Sequence, residues 1–212
     1  MNTVVLASGR GSNLRAICRA IDEGSCKARI VGVVSDKRSA AALEFAETRG
    51  IPTRVVSLKK GGDRDHWNVE LAKQVASLSP ELVVLAGFMK ILGSPFLERF
   101  PGRIINVHPA LLPSFPGHDG PKDALEAGVR ISGCTVHIVD DGVDTGPIIA
   151  QAAVPVLPDD TPETLHARIQ AQEHRLLPGV INRIAIGEIE LNPLKMKATH
   201  TDPSKVLSVP EV

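Results

Sequence analysis

Short apolar runs without polar alternation recur along the first half of the chain. Residues 3–7, 30–34 and 82–86 are such runs, and residues 53–56 form a weaker one. Runs of this length and composition are typical of strands buried on both faces of a parallel sheet. The pattern therefore predicts a sheet whose strands lie in the interior of the protein.

Segments with apolar residues at helical spacing separate these runs. They cover residues 14–21, 40–49 and 63–78, and Asp63 is placed as an N-cap of the third. Strands that alternate with helices favour right-handed crossovers. We therefore expect the α/β class, with a Rossmann-like, mainly parallel sheet that carries helices on both faces.

The second half of the chain has a different pattern. Residues 131–139 and 148–156 resemble strands, and a short acidic, glycine-bearing segment at residues 140–147 joins them. This arrangement favours an antiparallel hairpin that extends the sheet. A long helix at residues 161–187, bent at Pro178, is expected to follow.

A glycine-bearing turn follows the first predicted strand. It reads Ser8-Gly-Arg-Gly-Ser-Asn13 and leads directly into a helix. Free backbone N–H groups and the helix dipole make such a turn a natural phosphate cradle. Two alternatives stay open. In the first, the glycines serve only to permit the turn, and in the second, the loop binds a dinucleotide whose ribose contacts Asp36. Leu14 stands where the dinucleotide-binding motif has its third glycine.

Asn106 and His108 stand two residues apart in an apolar run that begins at Ile104. Side-chain alternation places both on one face of a strand. Pro109, Pro113 and Pro116 then prevent a regular continuation, so a stiff loop is expected at the strand end. Polar groups at the exit of a buried strand suit a reaction centre, and a core histidine beside a capping asparagine is the alternative.

Three carboxylates, Asp140, Asp141 and Asp144, lie within five positions of the predicted hairpin loop. They lack the alternating ligand pattern of a calcium loop, so a solvated turn is the simpler interpretation. Glu173 likewise lies among polar neighbours of the long helix. No metal is expected.

Composition narrows the function classes. The 212 residues carry 24 basic and 24 acidic side chains, a net charge of +0 that offers no footprint for nucleic acid. Three scattered cysteines favour a reducing compartment, and no run of about 18 apolar residues predicts a membrane span. We therefore predict a cytoplasmic protein without nucleic-acid or membrane partners.

Four motifs taken together resemble the formyltransferases that use 10-formyltetrahydrofolate. They are Ser8-Gly-Arg-Gly-Ser-Asn-Leu14, Leu85-Ala-Gly-Phe-Met89, Asn106-Val-His-Pro109 with Leu111-Leu-Pro113, and Asp144-Thr-Gly-Pro147. The resemblance is greatest to the branch of purine biosynthesis that formylates glycinamide ribonucleotide. It implies a formyltransferase domain over residues 1–190, with a phosphate-binding half (1–100) and a catalytic and folate-binding half (101–190), followed by a tail (191–212).

The resemblance also implies roles for individual residues. Asn106, His108 and Asp144 would form the catalytic set, with donors for a tetrahedral oxyanion and with Asp144 raising the pKa of His108. The residues implied for glycinamide ribonucleotide are Gly11, Ser12, Asn13 and Glu173, and those implied for the folate are Arg64, Met89, Lys90, Ile91, Leu92, Asn106, Asp140, Asp141, Gly142, Val143 and Asp144. The enzyme is expected to be a monomer or a homodimer.

Three other hypotheses are less well supported. A methionyl-tRNA formyltransferase would carry a further C-terminal domain, and a formyltetrahydrofolate deformylase an N-terminal regulatory one. A nucleotide-binding dehydrogenase or sensor would account for the glycine loop and Asp36 but would give Asn106, His108 and Asp144 no purpose.

Overall fold

A computed structural model describes residues 1–191. Seven strands form one sheet in the order β3-β2-β1-β4-β5-β6-β7. The strands are β1 (Asn2–Leu6), β2 (Arg29–Ser35), β3 (Thr53–Val55), β4 (Leu82–Leu85), β5 (Ile104–His108), β6 (Ile131–Ile138) and β7 (Ile148–Pro155). The pairs from β3 to β5 are parallel, whereas β5–β6 and β6–β7 are antiparallel. The predicted mainly parallel sheet with an antiparallel extension is confirmed.

Six helices within the described residues cover the sheet. They are α1 (Ser12–Asp22), α2 (Ala41–Thr48), α3 (Arg64–Ala76), α4 (Ser94–Leu97), α5 (Gly120–Glu126) and α6 (Pro162–Ala185). Asp63 caps α3 as predicted, because its side chain accepts hydrogen bonds from the N–H groups of Asp65 and His66. The helix α6 continues through Pro178, and α4 was not predicted because it has only four residues.

The strands place alternate residues in two separate cores. In β1, Val5 packs in the core beneath α1, α2 and α6, whereas Val4 and Leu6 pack beneath α3 and α4. Both faces of the central strands are therefore buried, which explains why their sequences show no polar alternation. The expectation of helices on both faces is confirmed.

Three further sequence predictions concern the C-terminal tail, the cysteines and membrane spans. The proposed tail begins at residue 191, and all of it beyond Leu191 lies outside the described residues. Cys18, Cys26 and Cys134 are buried free thiols. No helix in residues 1–191 is long and apolar enough to cross a membrane.

Candidate active site

A cavity of about 810 Å³ opens at the carboxyl ends of β1, β4 and β5. The glycine loop after β1, the segment after β4 and the start of the loop after β5 all line it. The carboxyl ends of parallel strands are where open α/β sheets bind ligands. The three loops therefore share one rim of the sheet, as predicted. The volume of the cavity is in the range of small-molecule sites.

Asn106 and His108 project from β5 into this cavity. Ile105 and Val107, between and beside them, pack into the core beneath α1 and α6. Strand alternation thus separates the polar pair from its apolar neighbours, as predicted. The loop between β6 and β7 brings Asp144 to the same place.

Asp144 is the centre of a four-membered cluster. Its Oδ2 lies 3.3 Å from His108 Nδ1 and accepts the Gly117 N–H at 2.9 Å. Its Oδ1 accepts from Asn106 Nδ2 at 3.3 Å and lies 3.4 Å from His137 Nε2. The structure therefore brings the three predicted catalytic residues together and adds His137.

The backbone of Asp144 is in the left-handed region, with φ 55°. A residue other than glycine rarely adopts this conformation, and it costs about 1 kcal/mol or more. Burial alone would raise the pKa of Asp144, but the contact with the His137 ring, the Gly117 N–H and the charges of His108 and His137 hold that pKa below its usual value. The carboxylate at this position is therefore ionised near neutral pH.

The His108 imidazole is almost completely buried, at 3% exposure. Burial lowers the pKa of His108 from its usual value, and the charge of Asp144 and the Phe115 carbonyl only partly oppose this effect. The sequence predicted the direction of the Asp144 contribution, but burial outweighs it.

The hydrogen-bond partners of His108 also determine where its proton lies. Nε2 is 2.8 Å from the Phe115 carbonyl oxygen, which can only accept, so Nε2 carries the hydrogen. In the neutral imidazole the Nδ1 lone pair then faces the Asp144 carboxylate. A proton taken up at Nδ1 would turn this contact between two acceptors into an ion pair.

His137 on β6 was missed from the sequence. It is paired with Asn106 across the antiparallel β5–β6 ladder, and this register could not be read from either strand alone. Its Nδ1 lies 2.9 Å from the Ile138 carbonyl oxygen, so Nδ1 carries the hydrogen in the neutral ring and Nε2 accepts from Asn106 Nδ2 at 3.1 Å.

The Asn106 amide group is held by these contacts. One hydrogen of Nδ2 is directed to His137 and the other to Asp144, whose carboxylate can only accept. The contact with Asp144, at 3.3 Å, is longer than a strong hydrogen bond. It is therefore the contact that a ligand oxygen would replace.

The opposite end of the cavity contains the glycine loop and the start of α1. Gly11 has φ 72°, and an added Cβ would lie 2.8 Å from Ala42 Cβ, so only glycine fits there without displacement. No side chain caps α1, and its first turn contains no acidic residue. Unpaired N–H groups with a positive dipole suit an anion.

The buried side chain of Glu173 reaches from α6 to the start of α1. Its Oε2 accepts a hydrogen bond from Asn13 Nδ2 at 2.8 Å, and both residues line the cavity. Burial raises the pKa of Glu173, and the bond from Asn13 only partly lowers it. Gly11, Ser12, Asn13 and Glu173 are thus brought together, although helical periodicity had favoured a solvated Glu173.

The segment predicted to bind folate forms the third wall. Met89, Lys90, Ile91 and Leu92 line the cavity, and Met89 and Ile91 expose 54% and 60% of their surface. Across from them, Asp140, Gly142 and Val143 line it from the loop after β6. Asp140 shapes that loop by accepting hydrogen bonds from the Gly142 N–H and the Thr145 hydroxyl.

Two residues predicted to bind folate lie outside the cavity lining, Arg64 and Asp141. Arg64 donates instead to the Ile91 carbonyl at 2.8 Å, so it contacts the backbone of the segment predicted to bind folate. Asp36, the residue of the dinucleotide alternative, is buried and does not line the cavity either. Within residues 1–191 no cluster of three histidine, cysteine or acidic residues could hold a metal ion.

Comparison with known proteins identifies relatives of this chain. Residues 1–181 match the family model described as formyl transferase. The chain is 50% identical over 182 residues to the phosphoribosylglycinamide formyltransferase of Mycobacterium tuberculosis, covering 86% of this chain and 84% of that protein. It resembles the crystal structure of glycinamide ribonucleotide transformylase 1 from Symbiobacterium toebii with a TM-score of 0.85 at 43% identity, covering 91% of each chain.

Longer proteins contain a similar segment. The chain is 49% identical over 187 residues to the trifunctional purine biosynthetic protein adenosine-3 of Drosophila pseudoobscura pseudoobscura. That match covers 87% of this chain but spans only 14% of the length of the relative. Since a family model matches most of the sequence, at residues 1–181, the chain belongs to the formyl transferase family.

Proposed function

We propose that the protein transfers the formyl group of 10-formyltetrahydrofolate to the amine of glycinamide ribonucleotide, in purine biosynthesis. The observation that carries this proposal is the position of Asn106, His108 and Asp144. They lie in one cavity between an uncapped, glycine-bearing helix start and a partly apolar segment. A phosphate-bearing acceptor and a flat heterocyclic donor would thus meet at the catalytic residues.

The reaction forms one bond and breaks another. The amine nitrogen attacks the formyl carbon, and the tetrahedral intermediate then expels N10 of the folate. One proton leaves the attacking nitrogen and one is gained by N10. Asp144, ionised and in contact with both His108 and Asn106, is suited to relay that proton through water.

Two groups would stabilise the negative charge on the formyl oxygen. Asn106 Nδ2 can exchange its 3.3 Å contact with Asp144 for a hydrogen bond to that oxygen. His108 would contribute positive charge once a proton occupies Nδ1, where Asp144 stabilises it. Each donor is preorganised by the strand β5 and therefore needs little rearrangement.

The remaining walls would bind the two substrates. The half comprising residues 1–100 supplies Gly11, Ser12 and Asn13 for the phosphate, and Glu173 from the other half would contact the glycinamide amine. The pterin would lie between Met89–Leu92 and residues 140–144, where exposed apolar side chains fit a flat ring. Arg64 would act by holding Ile91 in place.

We further infer a cytoplasmic location, which the three free, buried cysteines favour. The oligomeric state is proposed to be monomeric or homodimeric. Small molecules are the proposed ligands, with neither nucleic acid nor a membrane as a partner.

The deciding experiment supplies 10-formyltetrahydrofolate with a labelled formyl group. Label should appear in the ribonucleotide only when glycinamide ribonucleotide is present. Release of labelled formate at the same rate without the ribonucleotide would instead identify a deformylase. Transfer to methionyl-tRNA in preference to the ribonucleotide would also overturn the proposal.

A further inference from the structure

A polar stripe on α6 faces the cavity. Glu163, His166, Gln170 and Glu173 follow one another at intervals of three or four residues, so they lie on one helical face, and all four line the cavity. Gln170 Nε2 donates to Ser12 Oγ at 3.0 Å, which ties this face to the first residue of α1. The stripe therefore runs beside the proposed phosphate site.

Arg10 stands directly before Gly11 and also lines the cavity. It lies close enough to His166 that its charge, after burial, contributes to lowering the pKa of His166. Within residues 1–191 neither side chain makes a hydrogen bond or an ion pair. Arg10 and His166 therefore both line the cavity with hydrogen-bond donors that no described residue uses.

The other charges around them do not alter this conclusion. Lys122 lines the same cavity from α5, but its ammonium group lies 3.7 Å from Glu126. Glu163 on the stripe is exposed to solvent, and the neighbouring Thr161 lowers the pKa of its carboxyl group. Glu173 is buried and accepts from Asn13. The guanidinium and imidazole thus share the cavity wall next to an uncapped helix start.

We propose that Arg10 and His166 form a basic clamp that binds the phosphate of the acceptor together with the α1 backbone N–H groups. This inference rests on the proposed function, since it adds two side chains to the same phosphate site. The α1 backbone gives the phosphate a weak, general attraction, whereas Arg10 adds charged donors in a planar fork. His166 adds a further donor from the facing helix.

Burial and the charge of Arg10 both lower the pKa of His166, so its imidazole is neutral near neutral pH. A phosphate between the two side chains would offset the Arg10 charge and favour protonation of His166. The same feature predicts selectivity for a phosphorylated acceptor over its dephosphorylated form. The glycine loop alone would give a smaller preference.

The test compares equilibrium binding of glycinamide ribonucleotide with that of glycinamide riboside, which lacks the phosphate. Arg10→Gln and His166→Gln should each weaken ribonucleotide binding about tenfold, the loss expected when a hydrogen bond to a charged group is removed. Binding of the riboside and of a folate analogue should stay within about twofold of the unmodified protein, well below that loss. Ribose 5-phosphate is a second probe and should show the same loss as the ribonucleotide.

His174 and Arg19 are a matched control pair outside the cavity lining. His174 is two turns after His166 on α6, and the charge of Arg19 on α1 likewise contributes to lowering its pKa, but neither residue lines the cavity. His174→Gln and Arg19→Gln should leave the preference for the phosphorylated ligand unchanged. Equal losses for ribonucleotide and riboside, or no loss in the two clamp variants, would overturn the clamp.

Turnover of the unmodified protein separates this inference from the proposed function. If the unmodified protein formylates the ribonucleotide while the clamp variants bind it normally, only the clamp is wrong. If the unmodified protein binds the phosphorylated ligands through Arg10 and His166 but transfers no formyl group, the clamp stands and the proposed function fails.

Discussion

The two ends of the cavity are built in opposite ways. At the proposed catalytic end, Asn106, His108, His137 and Asp144 contact one another at distances of 3.1 to 3.4 Å. At the proposed phosphate end, Asn13 Oδ1 is buried without a hydrogen-bond partner among the described residues. Arg10 likewise makes no ion pair within residues 1–191. The polar side chains at one end contact one another, whereas the other end has polar groups without a partner among the described residues.

This difference indicates how the protein divides its tasks. A catalytic group has to be positioned before the reaction, because reorganisation during the reaction adds to the barrier. A binding group contributes more to the free energy of binding when it has no partner in the free protein, since no existing contact has to be displaced. Substitutions at the catalytic end should therefore change turnover, and those at the phosphate end should change affinity.

Replacing Asp144 should have the largest effect on turnover. Asp144→Asn preserves the shape but removes the charge that both histidines face, so kcat should fall by about a thousandfold, within the range of general acid–base catalysis. The KM values should change little. Steady-state kinetics with both substrates would measure this difference.

The same variant tests the electrostatic coupling to His108. The Asp144 charge raises the pKa of His108 against the opposing effect of burial, so its removal should shift the titration of His108 to lower pH. NMR titration of labelled histidine would detect the shift, with the signal of the distant His174 as an internal control. An unchanged His108 titration would show that Asp144 acts in another way, for example by holding its loop.

Removing the Asn106 amide should have the next largest effect. Asn106→Ala deletes one proposed oxyanion donor, which is worth roughly a hundredfold in rate. The strand should remain intact because Ile105 and Val107 pack into the core on the other face. Turnover close to that of the unmodified protein, with an unchanged melting temperature, would exclude Asn106 from the chemistry.

A smaller effect is expected from the loop that precedes Asp144. Asp140→Ala removes the acceptor of the Gly142 N–H and the Thr145 hydroxyl, so the loop should lose order. The KM for the folate should rise about fivefold, equivalent to one ordinary hydrogen bond, and the KM for the ribonucleotide should not change.

Thr145→Val provides the partner for a double-mutant cycle. Because both substitutions remove the same hydrogen bond, the double variant should be no worse than the more affected single variant. Fully additive effects would mean that Asp140 contacts the folate directly.

The sequence predicted the catalytic end better than the phosphate end. Side-chain alternation in β5 was sufficient to place Asn106 and His108 together, since that rule depends only on local geometry. His137 could not be found in this way because its position opposite Asn106 depends on the β5–β6 register. The left-handed backbone of Asp144 was also unpredictable, since Gly142 in the same loop was the residue suited to it.

The phosphate end depends on how two helices dock. The glycine loop was recognisable because strand, turn and helix follow one another along the chain. His166, Gln170 and Glu173 come from a helix more than 150 positions later, and only the packing of α6 against α1 brings them to Ser12 and Asn13. Glu173 was therefore found by resemblance, and periodicity alone favoured a solvated position.

Glu173 gives the smallest predicted effect, and it sharpens the contrast between the two ends. Burial raises the pKa of Glu173, so the folded state binds this proton more tightly than the unfolded state does. Stability is therefore lost as the pH rises from the unfolded carboxyl pKa through the higher folded one. Above that range the folded protein carries the full cost of an ionised, buried carboxylate.

Glu173→Gln should remove this cost, because the glutamine carbonyl can still accept the hydrogen bond from Asn13. The melting temperature at pH 8 should rise by a few degrees, about what a change of 1 kcal/mol produces in a chain of this size. The gain should shrink as the pH falls, since the carboxyl of the unmodified protein then becomes neutral. At the same time the KM for the ribonucleotide should increase, because the proposed partner of its amine has lost its charge. Thermal unfolding across pH would measure the first effect and kinetics the second. A variant that melts at the same or a lower temperature at pH 8 would show that other groups already stabilise the ionised carboxylate, as they do for Asp144 at the other end of the cavity.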